Sequence, residues 1–247
     1  SLFAVQAAEQ ALDDAAFDRT LLGGGRVGCV IGSTMGSAQA LSEAFEVMIR
    51  ERDLALLHSM QFFKCLSHTA AMNVSQHLGI AGTVTATCAA CVSALQAVGL
   101  GLDLIRSGRQ DAVLCGGSEE LHPTVTASFD ILRATSTGFN DAPQETPRLF
   151  DRRRDGLVCG EGCGLLLLEA EETARARGVR PWAEVLGYSS CASGVHVSQS
   201  DRLALETCMA RALADGGLAP GDVDLVSAHG TGTVQGDAEE AGAIAAL

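Results

Sequence analysis

Three features of the sequence predict an α/β protein with buried sheets. Segments of helical period alternate with short apolar runs along the chain. Several of those runs, such as Arg26-Val-Gly-Cys-Val-Ile-Gly32, are apolar after their first residue and end at glycine, the pattern of a buried strand. Hydrophobic residues make up 47% of the 247 residues and aromatics only 4%, with 28 glycines. That mix favours closely packed layers joined by tight turns, and the length is ample for one large core or two smaller ones.

Taken in order, Leu2 to Phe17 carries apolar residues at helical spacing and Arg26 to Gly32 reads as the first strand. Gln39 to Arg50 is an amphipathic helix. A polar, histidine-containing stretch leads into a helix over Ser67 to Leu78, which Gly79 closes. Gly82 to Ala90 is a small-residue, β-prone approach. It turns at Cys91 into a long helical run that Gly108 stops. Asp111 to Gly117 forms a strand, and Thr135 to Pro147, polar with Gly and Pro, a long loop. Leu165 to Glu169 and Trp182 to Ser190 read as paired strands around a short helix, Glu171 to Arg177. Leu203 to Ala214 is helical, Val223 to Ala228 a strand, and Asp237 to Leu247 the start of another helix. Helix, glycine, aspartate and apolar strand recur at Ile105 to Cys115 and at Leu213 to Ala228, an echo too faint to be read as a repeat. The first residues enter a helix directly and the last stop in mid-helix, so the fold is expected to be incomplete at both ends.

A formal net charge of −13 argues against a nucleic-acid surface and gives no general attraction for anionic partners. An acidic partner would need a local basic patch. Nine cysteines in a core-rich chain with no signal-peptide pattern point to thiols in a reducing cytoplasm rather than to a disulfide framework. Cys29, Cys115, Cys191 and Cys208 lie in apolar runs, where cysteine acts as a small hydrophobe. The longest apolar stretches, such as Cys163-Gly-Leu-Leu-Leu-Leu168, are too short to span a bilayer.

Two segments carry chemistry. Cys91, at the expected helix start, sits where unpaired N–H groups and the positive dipole end favour a thiolate. Downstream, Asp224-Leu-Val-Ser-Ala-His229-Gly-Thr-Gly-Thr233 delivers a histidine from a strand end into glycines and threonines. A thiol nucleophile plus such a histidine reads as acyl transfer.

Thr87-Cys-Ala-Ala-Cys91-Val-Ser-Ala, Arg154-Asp-Gly156 with Gly160-Glu-Gly-Cys-Gly164, and His229-Gly-Thr-Gly-Thr-Val-Gln-Gly-Asp237-Ala-Glu-Glu240 together resemble the β-ketoacyl-acyl carrier protein synthases. These are the condensing enzymes of fatty-acid and polyketide assembly. The resemblance runs through essentially the whole chain, and Leu66 to Leu78 with Gly117-Ser-Glu-Glu-Leu121 look most like elongating ketosynthases of type II systems. It implies a thiolase-like layered α-β-α-β-α fold, with about 1–170 as an N-terminal half lacking its first strand and about 171–247 as the start of a C-terminal half. It implies Cys91 as the acyl-accepting nucleophile and His229 as the first of two catalytic histidines. Thr231 and Thr233 match threonines that bond the phosphopantetheine arm, Phe129 a residue lining the active site, and Glu240 a buried glutamate supporting the catalytic lysine. That lysine, the second histidine and a glycine-rich oxyanion loop have no match here. The resemblance further implies no cofactor beyond the carrier's phosphopantetheine, acyl carrier protein as partner, and a homodimer or a heterodimer with a ketosynthase-like subunit. Gly138 departs from the family, standing where many relatives carry a basic residue that meets the carrier. Cys163 replaces a usual small residue.

Other readings of the same residues stay open. Cys88-x-x-Cys91, with Cys159 and Cys163, could be redox-active or metal-binding, although no metal is expected in their Ala, Gly and Val surroundings. His229 could be a core histidine, Gly230-Thr-Gly232 a phosphate cradle, and Phe129 simple packing. Arg148, Arg152, Arg153 and Arg154 either pair with Asp151 and Asp155 or dock an acidic carrier. A degradative or biosynthetic thiolase would share the cysteine but not the His229 pattern. A non-catalytic chain-length-factor subunit would lack the cysteine.

Overall fold

A computed structural model describes residues 1–196 and 199–247. The chain divides into two compact units that interleave in sequence, Ser1–His122 with Gly160–Ala183, and Pro123–Cys159 with Glu184–Leu247.

The apolar runs of the first unit form one four-stranded sheet of β1 (Val27–Gly32), β2 (Val84–Thr85), β3 (Ala112–Glu119) and β4 (Gly162–Glu169), in the order β2-β1-β3-β4. β1 runs parallel to β2 and β3, while β4 is antiparallel to β3. β1 is buried along its whole length, as its unbroken apolar sequence requires when both faces are covered. Cys29, Ile31, Ala112 and Leu114 point to one face, against α1 (Leu2–Asp14) and α4 (Thr69–Leu78). Val30, Val113 and Cys115 point to the other, against Ala97 and Leu104 of α5 (Ser93–Arg106). The alternation of side chains along a strand thus divides one sheet between two cores, giving three α-β-α layers. α2 (Ala38–Arg50) starts on the side chain of Ser37, which accepts from the Ala40 amide, and α4 ends at Gly79 with φ 68°. α3 (Ser59–Lys64) falls in the stretch whose polarity hid it, and α7 (Glu171–Ala176) lies where helical spacing placed it.

The second unit holds α6 (Pro123–Ile131), α8 (Arg202–Asp215) and α9 (Val234–Ala246), with α8 packed on α9. Two expected strands are corrected here. Trp182 to Ser190 and Val223 to Ala228 join no sheet among the described residues. A strand needs a neighbouring row of N–H and C=O groups, and an apolar pattern cannot create one. Residues 187–191 instead run along α8: Asp215 accepts from the Tyr188 amide at 2.9 Å, and the Cys191 thiol donates to the Ala204 carbonyl at 3.6 Å. α9 begins at Val234, three residues before the expected Asp237, because Thr233 caps it by accepting from the Gly236 amide.

Candidate active site

Cys91 does not begin the helix, as its sequence context suggested; α5 starts at Ser93, and the exposed thiol sits two residues earlier on a sharp turn. The turn is made by Ala90, at φ 52°, a left-handed conformation that costs a non-glycine residue about 1–2 kcal/mol. Such strain persists only where neighbours hold it. Ser93 does so by donating its hydroxyl to the Ala90 carbonyl at 2.6 Å while accepting from the Ala89 amide at 2.8 Å. The Thr87 hydroxyl donates to the Ser93 carbonyl at 2.7 Å, tying the residues before Cys91 to those after it. The start of α5 also lies hard against the sheet. A Cβ on Gly117 would stand 2.5 Å from Cβ of Ala94, and one on Gly32, its register partner, 2.8 Å from the Ala94 nitrogen. The cysteine is thus fixed just ahead of the N-terminal end of α5, the positive end of the helix dipole.

His229 lies in the second unit at the head of a loop built from its own sequence. Glu240, on α9, accepts from the His229 amide at 2.6 Å and the Gly230 amide at 2.8 Å. Glu240 is half-buried here, and its carboxylate holds the histidine's backbone. The buried carboxylate is Asp237, which accepts from the Phe150 amide at 2.7 Å and the Gly232 amide at 2.9 Å. Arg154 stands 3.7 Å from Asp237 and donates to the Thr233 carbonyl at 3.1 Å and the Val234 carbonyl at 2.6 Å. The Thr231 and Thr233 hydroxyls share a hydrogen bond of 2.9 Å. Four of the expected residues, His229, Thr231, Thr233 and Glu240, therefore form one braced loop. Phe129 lies half-buried on α6.

Asp237 and Arg154 stood inside recognised motifs without an assigned role, because only folding brings residue 154 to residue 237. The arginines do not all pair as expected. Arg148 reaches Glu145 at 2.5 Å and Asp151 at 3.6 Å, whereas Asp155 accepts from Ser136, Thr137 and Gly138. Burial pushes the Asp155 pKa up, but those hydrogen bonds outweigh it and hold the carboxyl below its ordinary value. Arg152 and Arg153 are exposed. No described group of three or more His, Cys, Asp or Glu residues is placed to hold a metal ion, and none of the nine cysteines is in a disulfide. No described helix is long and apolar enough to cross a membrane.

Comparison with known proteins identifies the family of the chain that carries this geometry. The model of the β-ketoacyl synthase N-terminal domain matches residues 1–174, and that of the C-terminal domain matches residues 182–247. The chain belongs to the β-ketoacyl synthase family. Its relatives include the mitochondrial 3-oxoacyl-[acyl-carrier-protein] synthase of Arabidopsis thaliana, 38% identical over 98% of this chain and 53% of the relative. A β-ketoacyl synthase from Burkholderia phymatum superposes with a TM-score of 0.94 at 40% identity, over 98% of this chain and 59% of that one. A type II PKS acyl-carrier protein in complex with its ketosynthase bound to the hexaketide gives 0.93 at 32% identity, over 98% and 61%. The chain therefore spans a little over half the length of these three proteins. Cys91 and Phe129 fall in the N-terminal match, and His229, Thr231, Thr233 and Glu240 in the C-terminal one.

Proposed function

We propose that the protein is a β-ketoacyl-acyl carrier protein synthase, an acyltransferase that lengthens a chain by decarboxylative Claisen condensation in fatty-acid or polyketide biosynthesis. The observation that carries this is the exposed Cys91 thiol on its braced left-handed turn, in a chain of that family. The Cys91 thiolate attacks an acyl thioester on the carrier, forms the acyl-enzyme and releases the carrier thiol. The carbon–carbon bond of a malonyl thioester then breaks, carbon dioxide leaves, and the electron pair remains as an enolate. The enolate attacks the acyl carbon on Cys91, forming the new bond and expelling the thiolate. Neutral His229 donates a hydrogen bond to the malonyl thioester oxygen as charge builds there, a contribution of about 3 kcal/mol for a preorganised donor.

Thr231 and Thr233 bond the phosphopantetheine arm that brings the malonyl unit in, and Phe129 lines the acyl site. Both electrophile and nucleophile arrive as thioesters, so no further cofactor is required. The acyl carrier protein is the partner, with exposed Arg152 and Arg153 offering its acidic surface a landing point in an otherwise acidic chain. Nine thiols suit a reducing cytoplasm, and the enzyme assembles as a homodimer.

Intact-protein mass spectrometry of the complete protein with an acyl-carrier donor tests the assignment. Cys91→Ala is expected to gain no acyl mass, and His229→Ala to acylate but fail to condense. A Cys91→Ala protein that still gains the acyl mass would refute it.

A further inference from the structure

Glu119, the last residue of β3, turns its carboxylate onto the loop that follows β1. It accepts from the Thr34 amide at 2.6 Å, the Ser33 hydroxyl at 3.2 Å and the Met35 amide at 3.3 Å. Buried Ser33 in turn accepts from the Gly36 amide at 3.1 Å, closing the turn. That turn grips the approach to Cys91. The Ser33 amide donates to the Thr87 carbonyl at 3.1 Å, and the Cys88 thiol donates to the Thr34 carbonyl at 3.6 Å. Thr87 continues to Ser93 on the far side of Cys91. A continuous line of contacts thus runs from one carboxylate to both flanks of the nucleophile. The adjacent Glu120 does a different job, accepting from the Gln39 amide at 2.8 Å and from Ser37 at the start of α2.

We propose that Glu119 is a positioning residue for the Cys91 thiol, holding the 33–36 turn that fixes the strained approach. The proposal rests on Cys91 being the acyl acceptor. Three donors converge on one charged acceptor, the strong form of hydrogen bond. Glu119→Gln keeps the size but leaves a single acceptor oxygen, and its NH2 would oppose N–H donors, so at least one amide of the turn loses its partner. The turn then loosens, and the cysteine's approach loosens with it.

The test is the alkylation of Cys91 by iodoacetamide in the complete protein, resolved by peptide and followed across a pH series. Glu119→Gln is expected to slow Cys91 on the order of tenfold, as displacement of a reacting atom by a fraction of an ångström does, and to shift its pH profile. Glu120→Gln is expected to leave rate and profile unchanged. Wild-type rate and profile in Glu119→Gln, or an equal slowing in Glu120→Gln, would overturn the proposal. Should Glu119→Gln fail to fold, Ser33→Ala removes the hydroxyl's two bonds, to Glu119 and from the Gly36 amide, and leaves the two amide bonds to Glu119; a smaller slowing supports the proposal and an unchanged rate overturns it. Alkylation needs neither carrier nor acyl donor. A failure of the acyl-acceptor assignment would therefore appear as acyl mass on Cys91→Ala, with the alkylation difference intact.

Discussion

Asp237 is buried with two amide hydrogens, from Phe150 and Gly232, directed at its oxygens and the Arg154 guanidinium beside it. The group binds two stretches far apart in sequence, 150–154 and the 231–237 segment that leads into α9. Replacing it with asparagine removes the charge that Arg154 faces and one of the two acceptor oxygens. Breaking one partner of such a pair leaves the other uncompensated, so Asp237→Asn is expected to lose about 3 kcal/mol of stability, measured by urea unfolding. Glu240 does similar work for the His229 and Gly230 amides at the rim. The residue types at these positions were readable as a motif. Their roles were not, since a carboxylate in a sequence does not say whether a lysine, an arginine or a backbone amide will face it.

At the scale of elements, the decisive feature is how near α5 lies to the sheet. Gly32 on β1 and Gly117 on β3 are register partners, and both stand under the first turn of α5. A Cβ on Gly32 would fall inside contact distance of the Ser93 carbonyl, which is backbone and cannot swing aside. Gly32→Ala is therefore expected to cost about 2 kcal/mol through forced displacement and to slow modification of Cys91, read by unfolding and by labelling of the same sample. The glycines were visible in the sequence as strand ends. That they make room for a helix, and that the helix starts two residues after the cysteine, follows from packing alone.

For the whole molecule, the two cores share a consequence for pH. Burial pushes the thiols of Cys29 and Cys115 up to about 12 from an ordinary 9.0, Cys115 also feeling Cys29. The folded protein thus keeps two protons that the unfolded chain releases near pH 9, so their contribution is complete below that pH and is lost as pH rises toward 12. The slope approaches about 1.4 kcal/mol per pH unit for each thiol. Denaturant unfolding at a series of alkaline pH values should show this decline, and Cys115→Ala should remove about half of the slope.

The sequence by itself determined the α/β class, the family, most helices and the first-unit strands, because apolar period and short motifs are local properties of the chain. It also named the cysteine and the histidine loop. Tertiary structure decided what no local pattern encodes: which apolar runs find a neighbouring strand, as β1 does and Val223 to Ala228 does not. It decided that Ala90 is held left-handed and that Glu240 faces the His229 amide. Each of these depends on groups distant in sequence meeting within hydrogen-bond or contact range, and only the packed chain sets those distances.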